Sequence, residues 1–201
     1  MIKNFLFLKL TDPEICNLLW GLREIFEKEK KFASSIHVTV RGPNKNEFKN
    51  EVIQNLYKKI EDDSIIIQSA GKFDNEDYQV VYIKVSSTNL HKIWRKPDYP
   101  KEEFGINPHI TLYTGPDKEY ANCIYDFLKN ENIALLCNSF ELIPYQTKQM
   151  KIPYIESELN LTENGFSELI NKGKLSLSIL ERAKNIVSNF NCTKGSERIK
   201  K

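Results

Sequence analysis

Apolar residues recur along the first 143 positions with two different periods, and the changes of period divide the chain into ten segments. Residues 4–10 cluster Phe5, Leu6, Phe7, Leu8 and Leu10 in the manner of a buried strand. Ile15, Leu18, Leu19, Leu22, Ile25 and Phe26 then recur three and four apart, forming one stripe of an amphipathic helix. Thr11 or Asp12 is placed to cap that helix, with Pro13 in its first turn. Ile36, Val38 and Val40 return to a period of two, as a strand closed by Gly42-Pro43. Phe48, Val52, Ile53, Leu56, Tyr57 and Ile60 predict a second helix over 46–60.

Strands are expected at 65–68 and, strongly, at 78–85, separated by a polar turn over 71–77. A short helix fits Leu90–Trp94, a further strand runs from His109, a helix fits 117–130, and 133–143 reads as one closing strand. Residues 96–108, with Pro97, Pro100, Gly105 and Pro108, form a long irregular loop of a kind that is usually functional. Beyond residue 143 the pattern turns helical: 161–171 with Gly173 as its stop, then a last helix opened by a Ser178-x-x-Glu181 capping box and running to about Phe190. The expected class is α+β: a two-lobed domain over 1–143, its lobes meeting near 71–77, followed by a mostly helical extension over 144–201.

Two of these strands carry nearly the same text. Ile36-His37-Val38-Thr39-Val40-Arg41-Gly42-Pro43 matches Pro108-His109-Ile110-Thr111-Leu112-Tyr113-Thr114-Gly115-Pro116 in its His-x-Thr core and its Gly-Pro exit. The two histidines are 72 residues apart, about half of the region that contains them, which gives each lobe one copy. Thr occurs eight times in 201 residues. Two of three histidines followed by Thr two places on is therefore roughly a 0.5% coincidence.

Residues two apart on a strand point the same way. His37, Thr39 and Arg41 should share one face, and His109, Thr111 and Tyr113 should share the other copy's face. Two imidazoles and two hydroxyls converging on one ligand suit attack on a phosphodiester. One neutral imidazole removes a proton from the nucleophile, and the other, protonated, gives one to the leaving oxygen. Thr39 and Thr111 can donate to the non-bridging oxygens. Such chemistry calls for no metal and no cofactor. Arg41 is placed to clamp phosphate or to sit on the rim. Tyr113 is placed to bond phosphate, stack a base or simply pack. The third histidine, His91, falls in a short helix without a ligand-spaced partner and reads as a surface residue.

Composition changes this picture little. The chain is 40% hydrophobic and 28% charged, with net charge +2, the balance of an ordinary globular protein. Residues 144–201 hold ten Lys/Arg against six Asp/Glu, a net of +4, and the first 143 a net of −2. That mild basicity suits either a solvated surface or the approach of a polyanion. No apolar run nears the ~20 residues of a membrane span, and the start lacks a leader pattern. Four scattered cysteines, without Cys-x-x-Cys pairs, read as free thiols in a reducing cytoplasm, so a cytoplasmic protein without membrane partners is expected.

The residues His37-Val38-Thr39-Val40 and Pro108-His109-Ile110-Thr111-Leu112 resemble the paired motifs of the two-histidine (2H) phosphoesterase superfamily, which includes 2′-5′ RNA ligase and cyclic nucleotide phosphodiesterase proteins. The resemblance implies a bilobal α+β fold, with two pseudo-symmetric antiparallel-sheet lobes, helices outside and a central cleft. It implies His37 and His109 as the acid–base pair and Thr39 and Thr111 as phosphate ligands; Arg41 and Tyr113, where the two copies differ, are the expected substrate contacts. The implied partner is a nucleotide, oligonucleotide or RNA-end substrate: a 2′,3′-cyclic phosphate, a 2′-5′ or 3′-5′ linked oligonucleotide or a cyclic nucleotide. It does not extend to 144–201. Arg41-Gly42-Pro43 and Tyr113-Thr114-Gly115 replace the Phe-Leu-Gly-like and Ala-Arg continuations of many RNA-ligase-type members, so the resemblance selects no subfamily. The alternatives are a nucleotide- or RNA-binding module using the same cleft without turnover, and a nucleic-acid regulator acting through the basic tail. A monomer is the default expectation.

Overall fold

The first apolar cluster folds as β1 (Asn4–Leu10), the central strand of a three-stranded antiparallel sheet in a computed structural model that describes residues 2–27, 35–94, 106–147 and 174–198. Leu6, Leu8 and Leu10 are buried on one side of it. Asp12 then caps α1 (Pro13–Phe26) by accepting the N–H of Ile15 at 3.0 Å, with Pro13 in the first turn. Leu18, Leu19, Leu22 and Phe26 of α1 enter the same core as Leu6 and Leu8.

On one side β1 pairs with β2 (His37–Asn44), and on the other with β7 (Phe140–Gln146). β2 does not stop at Gly42-Pro43 but continues to Asn44. Gly42 is needed there, because its φ is +109° and a Cβ would meet the Asn4 carbonyl at 2.7 Å. α2 (Asn50–Tyr57) is shorter than its apolar stripe. After Tyr57 the chain tightens into turns in which the N–H groups of Lys59 and Ile60 bond three residues back, and these turns bury Ile60.

The second sheet has four antiparallel strands in the order β5-β4-β3-β6. β3 (Ile65–Asp74) runs well past the expected 65–68 and forms a hairpin with β4 (Gln79–Ser86). The polar turn expected over 71–77 is shorter: Gly71 to Asp74 lie inside β3, and the turn is Asn75–Tyr78. Gly71 admits this pairing because the Tyr82 ring lies over it, 2.3 Å from where a Cβ would stand. Asp63 then accepts the Ser87 hydroxyl and both the main-chain and side-chain N–H of Asn89, setting up the single-turn α3 (Leu90–Ile93).

β5 (His109–Gly115) lies at the edge of this sheet and leads into α4 (Lys118–Glu131), which Asp117 caps through the N–H of Tyr120. The expected single strand over 133–143 is two strands. β6 (Ala134–Cys137) pairs with β3, and β7 crosses to β1. The first sheet is thus built from both ends of the 1–143 region, and the second is inserted between them.

α5 (Lys174–Arg198) is one continuous helix. Ser178 lies inside it and does not cap it; its Oγ accepts Arg182 Nη1 at 3.0 Å. Ile179, Ala183 and Val187, four apart, are buried on the core, and Leu180 lies against Gly21 of α1. The Arg182 guanidinium grips both carboxylate oxygens of Glu131. The helix expected over 161–171 and most of the 96–108 loop lie outside the described residues. No helix among the described residues is long and apolar enough to cross a membrane.

Candidate active site

Both His-x-Thr motifs lie on edge strands, β2 of one sheet and β5 of the other, and these two edges come together. Each strand carries a one-residue bulge at the same place in the motif. Val40 is the extra residue between Thr39, opposite Phe7, and Arg41, opposite Leu6. Leu112 is the extra residue between Thr111, opposite Tyr82, and Tyr113, opposite Val81. A bulge bends its strand and re-aims the side chains beyond it. Up to the bulge the alternation holds: Val38 and Ile110 are fully buried, while His37, Thr39, His109 and Thr111 are half-buried.

The two imidazoles are oriented by the same device. Nδ1 of His37 lies 2.7 Å from the carbonyl of Ser35, and Nδ1 of His109 lies 2.8 Å from the carbonyl of Asn107, two residues back in each case. A carbonyl only accepts, so each Nδ1 carries the proton and each Nε2 has the lone pair in the neutral ring. The two rings therefore present equivalent atoms.

Their surroundings differ. The His37 ring stacks on Phe7 at 3.8 Å between centroids and 18° between planes, and Phe7 in turn stacks on Tyr145 at 4.9 Å. Loss of hydration in this enclosure pushes the His37 imidazole down to about 4; the bond to the Ser35 carbonyl opposes that, and the charges of Arg23 and His109 add smaller lowering contributions. His109 lies 4.7 Å from Tyr82 and edge-on to Phe73 at 5.2 Å. Asn107, whose carbonyl orients His109, also donates its side-chain amide to the Tyr82 hydroxyl at 3.1 Å.

Beneath the motifs lies Arg23 of α1, only 2% exposed. Its Nε donates to the Thr111 carbonyl at 2.8 Å and its Nη1 to the Ser35 carbonyl at 3.2 Å. One turn on, the buried Glu27 carboxylate accepts the N–H of Thr114. Burial lowers the Arg23 guanidinium to about 10 and Glu27 opposes that, so it stays charged at neutral pH.

The site residues expected from sequence are thus distributed unevenly. His37, Thr39, His109 and Thr111 lie on the approaching edges. Arg41 follows the Val40 bulge of β2, and its Nε donates to the Ile93 carbonyl at 3.0 Å, which ties β2 to the end of α3. Tyr113 takes the packing place that is one of its expected alternatives. The bulge at Leu112 reverses its parity, so it leaves the His109 face and is buried against Tyr120 with ring centroids 5.3 Å apart. Its hydroxyl lies where a side chain on Gly115 would stand, and burial raises its pKa.

His91 is exposed on α3. Among the described residues no group of three His, Cys, Asp or Glu is placed to hold a metal ion. Sequence reasoning missed Arg23, Asn107, Phe7 and Tyr82. Arg23 had a visible signal: it is a charge four residues after Leu19 and three before Phe26, within the apolar stripe. No family model, no curated protein and no solved structure matches the chain.

Proposed function

We propose that the protein is a metal-independent phosphodiesterase of the two-histidine type, with a bilobal fold of that kind, acting on a nucleotide or RNA-end phosphodiester. The observation that carries this reading is the matched pair of Nδ1–carbonyl bonds, which makes Nε2 the basic atom of both rings on two approaching strands. His37, kept neutral by its enclosure, accepts the proton of the attacking water or ribose hydroxyl through Nε2. The nucleophile's oxygen bonds to phosphorus as the bond to the leaving oxygen breaks, and His109, entering as the imidazolium, protonates that oxygen from Nε2. Thr39 and Thr111 donate to the non-bridging oxygens, where negative charge develops. The two rings exchange protonation states over the cycle, and solvent restores them.

The test is a panel of 2′,3′-cyclic mononucleotides, 2′-5′ oligoadenylates and cyclic di- and trinucleotides, with and without EDTA and with products resolved by mass. Turnover insensitive to EDTA is expected. His37→Ala or His109→Ala should each lower kcat by about 10²–10⁴-fold. Full activity in either variant overturns the mechanism. Binding of a panel member with no product from the wild type would instead make the cleft a nucleotide-binding module.

A further inference from the structure

We propose that Arg23 is the positioning residue of this site: one guanidinium ties the backbone before His37 to the backbone of Thr111, and so sets the two half-sites against each other. The consequence for turnover rests on the phosphodiesterase reading; the structural claim does not.

β2 and β5 belong to different sheets, and among the described strand pairings no ladder joins them. Their relative placement must come from something else that reaches both. Arg23 does so from a buried position on α1, using Nε for Thr111 and Nη1 for Ser35. The guanidinium is planar and rigid, so the two carbonyls are held at a separation fixed by its geometry. A lysine ammonium can replace the charge but not the fork.

The end of α1 braces the same strand and the helix that follows it. Glu27 takes the N–H of Thr114, and the Phe26 carbonyl accepts the Tyr120 hydroxyl at 3.1 Å. Edge strands carry unpaired backbone groups, and here those groups become the attachment points for the helix.

The Ser35 carbonyl does double duty, accepting both Arg23 Nη1 and His37 Nδ1. Arg23 therefore fixes the atom that fixes the plane of His37. Its positive charge also opposes a second charge on that ring. The other groups near His37 are His109 on β5 and Lys9 on β1, opposite His37 in register and paired with Glu141 at 2.9 Å, while Tyr145 on β7 stacks on Phe7. Changing Arg23 alone leaves the identity of each of these groups unchanged.

Two variants test this, Arg23→Lys and Arg23→Met, each read by NMR titration of the His37 ring in substrate-free protein and by kcat and KM on the best panel substrate. The His37 midpoint should rise toward the ordinary imidazole value in Arg23→Met and less in Arg23→Lys. In Arg23→Lys kcat should fall by about 10²-fold, since a misplacement of about 1 Å costs that much, while KM stays within about threefold. An unmoved His37 midpoint in Arg23→Met, or native kcat in Arg23→Lys, overturns the proposal.

If neither variant folds, the wild type decides. Arg23 Nε–H should exchange slowly with solvent and show scalar coupling across its bond to the Thr111 carbonyl; fast exchange without coupling overturns the proposal. A wild type inactive on every substrate would defeat the phosphodiesterase reading, while the His37 titration would still judge Arg23.

Discussion

His37 and His109 share residue type, motif position and an Nδ1 bond to the carbonyl two residues back, yet their surroundings differ. His37 has a face on Phe7 and a cation beneath it, so its neutral form persists to about pH 4. The acid limb of kcat/KM, which reports the free protein, should therefore fall only as pH drops toward about 4 and not near the ordinary value of 6.5. Stability depends on the same proton. The unfolded chain takes it up near 6.5 and the folded chain near 4, so the His37 contribution is complete above pH 6.5 and is lost as pH falls from there toward about 4. Urea unfolding of the wild type and of His37→Gln at pH 7 and about pH 4.5 checks this: the wild type should lose on the order of 2 kcal/mol more than the variant. Cys16 shows the opposite direction, since burial pushes its thiol up to about 11 and leaves it protonated and unreactive.

At the scale of elements, the sheets place the motifs through glycines, bulges and one aromatic ring. Tyr82 lies flat over Gly71, takes a hydrogen bond from Asn107 and touches the ring of His109. Gly71→Ala should push that ring off β3, costing about 1–3 kcal/mol as overpacking does. It should also shift the His109 ring resonances in NMR spectra, whereas unchanged resonances would mean that Tyr82 does not orient His109. Tyr82→Phe keeps the ring and removes the Asn107 bond, for an expected loss of about 1 kcal/mol by thermal unfolding. Periodicity located these strands well: β1, α1, β4 and α4 fall close to their apolar patterns. It failed where a bulge changed the phase. Counted in twos, Tyr113 continues the series of His109 and Thr111, and one extra residue turns it into the core.

At the scale of the whole molecule, α5 is part of the core that supports the site. Its buried stripe of Ile179, Ala183 and Val187 lies over α1, the helix that carries Arg23 and leads into Glu27. Ala183→Leu should overpack that seam by about 1–3 kcal/mol, lowering the thermal midpoint. Truncation before residue 174 should lower it further and, under the phosphodiesterase reading, weaken turnover through α1. A truncated chain with native Tm would show that the seam carries no stability. The two-pronged Arg182–Glu131 pair ties α5 to the end of α4.

The sequence by itself determined the α+β class, most element positions and the four His and Thr residues, because local periodicity and a repeated motif are encoded by neighbours within a few residues. It also held an unread sign of Arg23, a charge within an apolar stripe. Tertiary structure decided everything that depends on distant strands. It sent β7 back to β1, put Gly71 under Tyr82, turned Tyr113 inward, and placed two carbonyls from opposite edges within reach of one guanidinium. Those outcomes rest on pairing registers and burial between residues dozens of positions apart, which no pattern along a single strand contains.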